Sequence, residues 1–246
     1  MLTPKMSMAN DIMATNRRRP SRALKTVAAF SAWRAAYAVI LVLLIAPVGI
    51  VALGSAFGVI ALPFEMHMLV KQMPVVFRAH MATSAVALLL APVVIGFRHR
   101  PRMHRMLGRV LGAFVVLGGL TALPVAIFSH SGAVARAGFF TQGLVWMTLL
   151  VMGIAAIRNG KRERHRTLML AMVAVTTGAV WFRVITGTAI ALQLPFEATY
   201  ATAAWLGWMI PLALVLHFQE AIGRTLARPP KAPTQAQPLA PVSGIV

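Results

Sequence analysis

The fold class predicted by this sequence is all-α: a polytopic membrane protein, a bundle of six transmembrane helices with both termini cytoplasmic. Three observations predict it. The first is composition: of 246 residues, 59% are of the types AVILMFWYC and only 12% are charged, with a mean hydropathy of +0.76. Soluble domains carry roughly a quarter charged residues, and a water-soluble core of this length has no room for so much apolar surface. The second is the spacing of six apolar runs, each near the ~20 residues that cross a ~30 Å hydrocarbon layer at ~1.5 Å per residue. The third is that Lys and Arg collect in alternate connections between those runs.

In chain order, residues 1–34 form a basic N-terminal tail, and the long apolar run that follows reads as an uncleaved signal-anchor. The transmembrane domain, 35–222, contains spans at about 35–57, 76–97, 108–129, 138–157, 167–192 and 201–222. Each is α-helical because a spanning backbone must satisfy its own hydrogen bonds in lipid. Residues 58–75, interrupted by Pro63, Glu65, His67, Lys71 and Pro74, read as an amphipathic segment on the outer interface. The tail 223–246 is rich in Pro, Ala and Gln and is predicted to be disordered.

Orientation follows from counting cations in the connections. The N-terminal tail through Arg34 carries seven Lys or Arg, Arg98–Arg109 five, Arg158–Arg166 five and the C-terminal tail three. The intervening segments carry Lys71, Arg78 and Arg136 alone. Both termini and the basic loops are therefore expected on the cytoplasmic side of a bacterial inner (plasma) membrane, crossed several times.

With 24 Lys and Arg against 5 acids, the formal charge is +19. Nucleic acid is not the expected partner, because the cations lie in short clusters between apolar runs rather than on a solvated face. Anionic phospholipid is, since each juxtamembrane cation gains roughly 1 kcal/mol near such a surface; a protein partner within the membrane is compatible with the same layout. The chain has no cysteine, which excludes disulfides, iron–sulfur clusters, thiolate zinc sites and covalent c-type haem. No phosphate loop, nucleophile elbow, zincin helix or dinucleotide fingerprint occurs. No carboxylate lies in mid-span, so a carboxylate relay or an acid–base hydrolase has no support. No catalytic residue is assigned.

Ionisable groups inside spans need a reason to be there. Arg183 lies in the outer part of the fifth span, where it snorkels to the interface or anchors an anionic group such as a haem propionate. The histidines fall into two layers: His67, His80 and His130 on the outer side, and His99, His104, His165 and His217 on the inner. His217 is placed deepest, about four turns into the last span. Two layers of imidazoles in a helical bundle suit transmembrane haem b, whose iron takes one histidine from each of two helices. The competing reading is that each histidine meets water or lipid phosphate at a helix end. Met66, Met68, Met73 and Met81 beside His67 and His80 also suggest soft-metal chemistry, against methionine as plain apolar filler.

A short internal repeat is present. His104-Arg105-Met106-Leu107 and His165-Arg166-Thr167-Leu168 lie 61 residues apart, and each follows a basic loop. They suggest that spans two–three and four–five are copies. Gly108, Gly112, Gly118, Gly119, Gly178 and Gly187 offer close helix approach, and Tyr200, Trp205 and Trp208 read as interfacial anchors.

From about His80 to Glu220 the chain resembles the bacterial predicted-membrane-protein family known as domain of unknown function 2306. The likeness rests on His80, on Met103-His104-Arg105-Met106-Leu107-Gly108-Arg109, on Gly138-Phe139 and Trp146, on His165-Arg166-Thr167-Leu168-Met169, and on Arg183 and Ala204-Trp205. The chain departs from the family pattern at Val110 and Leu111, where an aromatic is usual, at Leu168, where Trp is, and at Leu170-Ala171, where Arg is. The resemblance implies fold and location but no activity, and it puts His80, His104, His165 and Arg183 ahead of His130 and His217 as positions to test. Cytochromes of the b561 type are similar in layout, with six helices and paired histidines, although the fourth span here has none. Three functions follow as expectations. The first is a non-catalytic accessory or lipid-interacting membrane component, the second a haem-b electron carrier, and the third a small-anion transporter.

Overall fold

In the computed structural model, residues 39, 41–62 and 64–221 are described. The basic tail 1–34, the beginning of the first apolar run and the tail 223–246 lie outside the described residues. A π-helical turn, Leu41–Ile45, runs into α1 (Ala46–Ala56). The helices that follow are α2 (Phe64–Gln72), α3 (Pro74–Gly96), α4 (Pro101–Phe128) and α5 (Ala133–Arg158). The chain continues through α6 (Arg162–Thr176), α7 (Gly178–Ala191) and α8 (Phe196–His217). Among the described residues there is no strand.

Five stretches are long and apolar enough to cross a membrane: Pro74–His99, Pro101–Phe128, Ala133–Arg158, Arg162–Ala191 and Phe196–His217. The described part of the first apolar run is a shorter helix, Leu43–Ala56. Helix starts fall earlier than the apolar runs predict: 101 rather than 108, 133 rather than 138, 162 rather than 167 and 196 rather than 201. Hydropathy registers only the part within hydrocarbon, whereas a helix continues into the polar layer because its amides still need partners. Pro101 as first residue of α4 also presets the helical φ and lacks only an N–H that would be orphaned there.

The connections between spans are tight, so consecutive spans run antiparallel. α5 ends in a left-handed cap at Gly160 (φ 74°), with Gly160 N–H bonded to Ile157 O at 3.1 Å and Lys161 N–H to Ala156 O at 2.9 Å. α1 ends the same way at Gly58, and α7 at Gln193 (φ 55°), a conformation that an L side chain adopts at some cost. Alternation brings the end of α3, the start of α4, the end of α5, the start of α6 and the end of α8 to one end of the bundle. Arg98–Arg109 and Arg158–Arg166 therefore gather there, and Lys71, Arg78 and Arg136 at the other.

α3 pairs with α4 and α5 with α6, α4 joins the two pairs, and α8 lies across α5, α6 and α7. Met172, Val115 and Val175 are the largest fully buried side chains, and Trp146 and Trp208 belong to the same cluster. Leu117, Leu120, Val151, Ile190 and Leu214 are each more than half exposed. Such a surface fits lipid, where apolar side chains need no cover.

The fifth predicted span, 167–192, lies within the Arg162–Ala191 stretch, whose regular helix is interrupted at one residue. The interruption is at Thr177, between α6 and α7, with no proline there. Trp208, read from sequence as an interfacial anchor, is 5% exposed and sits in the core. It faces inward because Gly207 beside it lets α8 approach until a Cβ there would lie 3.1 Å from Phe182 N.

Candidate functional site

His104 is the fourth residue of α4 and His165 the fourth of α6, each helix starting after a basic N-cap, Arg100 or Lys161. Their rings do the same thing. His104 Nδ1 lies 3.1 Å from the carbonyl of Val94 in the last turns of α3. His165 Nδ1 lies 2.8 Å from the carbonyl of Gly153 in the last turns of α5. A carbonyl only accepts, so Nδ1 carries the hydrogen in both and, in the neutral ring, Nε2 keeps the lone pair. Both repeated motifs thus clamp a helix start to the helix before it.

The second contact in each pair is also from a polar side chain to a backbone carbonyl. His80 on α3 donates Nδ1–H to Gly118 O on α4 at 3.0 Å, with Ser84 Oγ 3.4 Å from the same nitrogen. Gln142 on α5 donates Nε2–H to Val175 O on α6 at 3.2 Å. His80 precedes His104 by 24 positions and Gln142 precedes His165 by 23. Each helix pair thus carries two side-chain-to-carbonyl contacts, with different donors in the second.

Further polar contacts lie beside those of His80 and Gln142. At Gly118 an added Cβ would stand 3.0 Å from Ser84 Oγ and 3.1 Å from Trp146 Cζ3, so the glycine makes room for the edge of the indole against α4. Trp146 Nε1–H donates to Thr176 Oγ1 at 2.8 Å, and that hydroxyl donates to Met172 O at 2.9 Å. Thr177 Oγ1 donates to Ala174 O at 2.7 Å. Beside the interruption, Gln142 and Thr177 reach the carbonyls of Val175 and Ala174, so that these buried main-chain groups have side-chain partners. No buried side-chain polar atom among the described residues lacks a hydrogen-bond partner.

The remaining candidates stand apart. Arg183 on α7 is exposed and donates to Ala179 O at 2.8 Å, one turn back on its own helix. Next to it, Phe182 packs edge-on against Tyr200 at 4.9 Å and Phe139 at 5.3 Å, joining α5, α7 and α8. His130 is exposed in the connection after α4. His217 is not deep: it is the last residue of α8, exposed, with its ring 4.6 Å from that of Phe218. The helix ends five residues before the apolar run does, which leaves His217 at its rim. No hydrogen bond, ion pair or ring contact joins any two of His80, His104, His130, His165, Arg183 and His217. Among the described residues no group of three His, Cys, Asp or Glu could hold a metal ion.

Sequence reasoning missed Gln142, Ser84 and Thr176. A lone amide in an apolar helix was the available signal for Gln142, and a Thr-Thr-Gly run for the break.

Neither the curated proteins nor the solved structures contain a match, so the likeness to b561-type cytochromes gains no support. Residues 77–218 match the family described as Predicted membrane protein (DUF2306). That stretch holds the four helical spans from α4 to α8, nearly all of α3 and both His-Arg motifs. The match covers more than half of the chain, which is a multi-pass membrane protein belonging to the DUF2306 family.

Proposed function

We propose that this protein is a non-catalytic, lipid-interacting component of the bacterial inner membrane, with six spans and both termini in the cytoplasm. One observation carries the reading. The three histidines at the family motif positions each donate Nδ1–H to a main-chain carbonyl of a neighbouring helix. Their role is to hold helix pairs in register. The end of the bundle where ten Lys and Arg of the two basic connections gather is the end that faces anionic headgroups.

An absorption spectrum of detergent-purified protein, expressed with ample haem, tests the chemistry. The expected trace is featureless above the aromatic band, both oxidised and after dithionite. A Soret band would overturn the reading in favour of the haem-b carrier. That second reading draws on the same clamps, because a ligating imidazole commonly fixes its tautomer by giving its other N–H to a carbonyl. It ranks lower because the His104 and His165 clamps are accounted for by helix packing alone.

The absence of cysteine makes orientation directly testable. Asn159→Cys and Ser131→Cys lie at opposite ends of the bundle. In intact cells a membrane-impermeant maleimide should label Ser131→Cys and spare Asn159→Cys until the membrane is opened. The reverse pattern would invert the topology.

A further inference from the structure

Arg102, Arg105 and Arg109 lie on one outward face of α4, with Met106 and Val110 between them, and together they line a shallow open groove of about 440 Å³. All five side chains are exposed. Positions 102, 105, 106, 109 and 110 share a face because the helix repeats every ~3.6 residues. Arg105 Nε donates to Pro101 O at 3.2 Å, which lays that guanidinium along the helix. Among the described residues no carboxylate pairs with any of the three; the ion pair found there joins Arg166 and Glu163.

Depth fixes what such a groove meets. From Arg109 to the end of α4 the helix rises ~28 Å, close to the ~30 Å hydrocarbon thickness, so Arg109 sits at the hydrocarbon boundary. Arg102 lies ~10 Å further out, so the triad spans the headgroup layer. Below it the same face continues as an apolar strip, with Leu117 and Leu120 each more than half exposed. A soluble anion has no use for that strip; a phospholipid needs both parts.

We infer that this face of α4 is a binding site for an anionic phospholipid, its phosphate held by Arg105 and Arg109 with Arg102 above, and an acyl chain along Leu117 and Leu120. The inference deepens the lipid-interacting reading above and commits it to one site. Guanidinium groups suit it because they bind phosphate oxygens in a bidentate way.

The test is native mass spectrometry of the full-length protein in detergent, titrated with phosphatidylglycerol or phosphatidylcholine of matched chains. The wild type should retain one phosphatidylglycerol with a preference over phosphatidylcholine of about tenfold or more. The triple variant R102Q/R105Q/R109Q should lose that preference. R158Q/R162Q/R164Q, which removes equal charge from the other basic connection, should keep it. Arg109→Gln alone, expected to give a partial loss, serves if the triple variant aggregates. Equal losses in both triple variants, or retention in the first, would overturn the site. So would displacement of the lipid by millimolar inorganic phosphate, which would mark a soluble-anion site. None of these results bears on whether a Soret band is present, so this site and the non-haem reading fail separately.

Discussion

Trp146 Nε1 and Thr176 Oγ1 meet 2.8 Å apart beside the interruption between α6 and α7. The bond ties α5 to the last turn of α6, while the far edge of the indole rests on Gly118 of α4. One side chain thus touches both helical pairs of the repeat, in a setting where an unmet polar group is costly.

Trp146→Phe should destabilise the detergent-solubilised protein by about 1–3 kcal/mol, through the lost bond and the space left on Gly118. Thr176→Val should cost a similar amount. A double-mutant cycle by thermal or denaturant unfolding is expected to show coupling of about 0.5 kcal/mol or more; strict additivity would mean the bond contributes nothing.

Gly138→Ala should be among the more damaging single-methyl additions. Its Cβ would stand 2.9 Å from the carbonyl oxygen of Ala204, and main chain has nowhere to retreat. A loss of about 1–3 kcal/mol is expected from overpacking. Gly187→Ala has nothing within 4 Å of the new carbon, and should be neutral or stabilising by up to ~1 kcal/mol. Comparing the two melting temperatures checks the α5–α8 contact.

His104→Phe and His165→Phe keep a ring of similar shape and remove the Nδ1–H. Each should cost about 0.5–1.5 kcal/mol. Because the clamps sit in separate helix pairs, the double variant should lose the sum to within ~0.5 kcal/mol. A large deviation from the sum would show that the two histidines act on one shared element.

Gln193→Gly relieves a left-handed backbone at the end of α7 and should stabilise by roughly 0.5–1 kcal/mol, since glycine adopts that conformation without a side-chain clash. Gly160→Ala, at the equivalent cap of α5, should destabilise by about 1 kcal/mol. Opposite shifts in melting temperature are the expected result.

Five of the six predicted spans were legible in the sequence because lipid imposes length and apolarity on every crossing helix. The histidine clamps were not. Their partners are the carbonyls of Val94, Gly153 and Gly118, and a main-chain oxygen leaves no mark in a sequence, so the repeated His-Arg motifs read as layers of ligands. The break at Thr177 was hidden because Thr-Thr-Gly interrupts an apolar run without proline or charge. Trp208 was misassigned because composition near a helix end does not say which face an indole occupies; Gly207, which draws α8 inward, decides it.

Because Thr177 keeps a helical backbone (φ −70°, ψ −8°), α6 and α7 form one continuous span with a single irregular residue near its middle. The α6 part is fastened by His165 and Thr176, the α7 part by the Phe139–Phe182–Tyr200 cluster beside Arg183. Each half of this span is therefore held to its neighbours by a different kind of contact, hydrogen bonds towards one end of the bundle and ring packing towards the other.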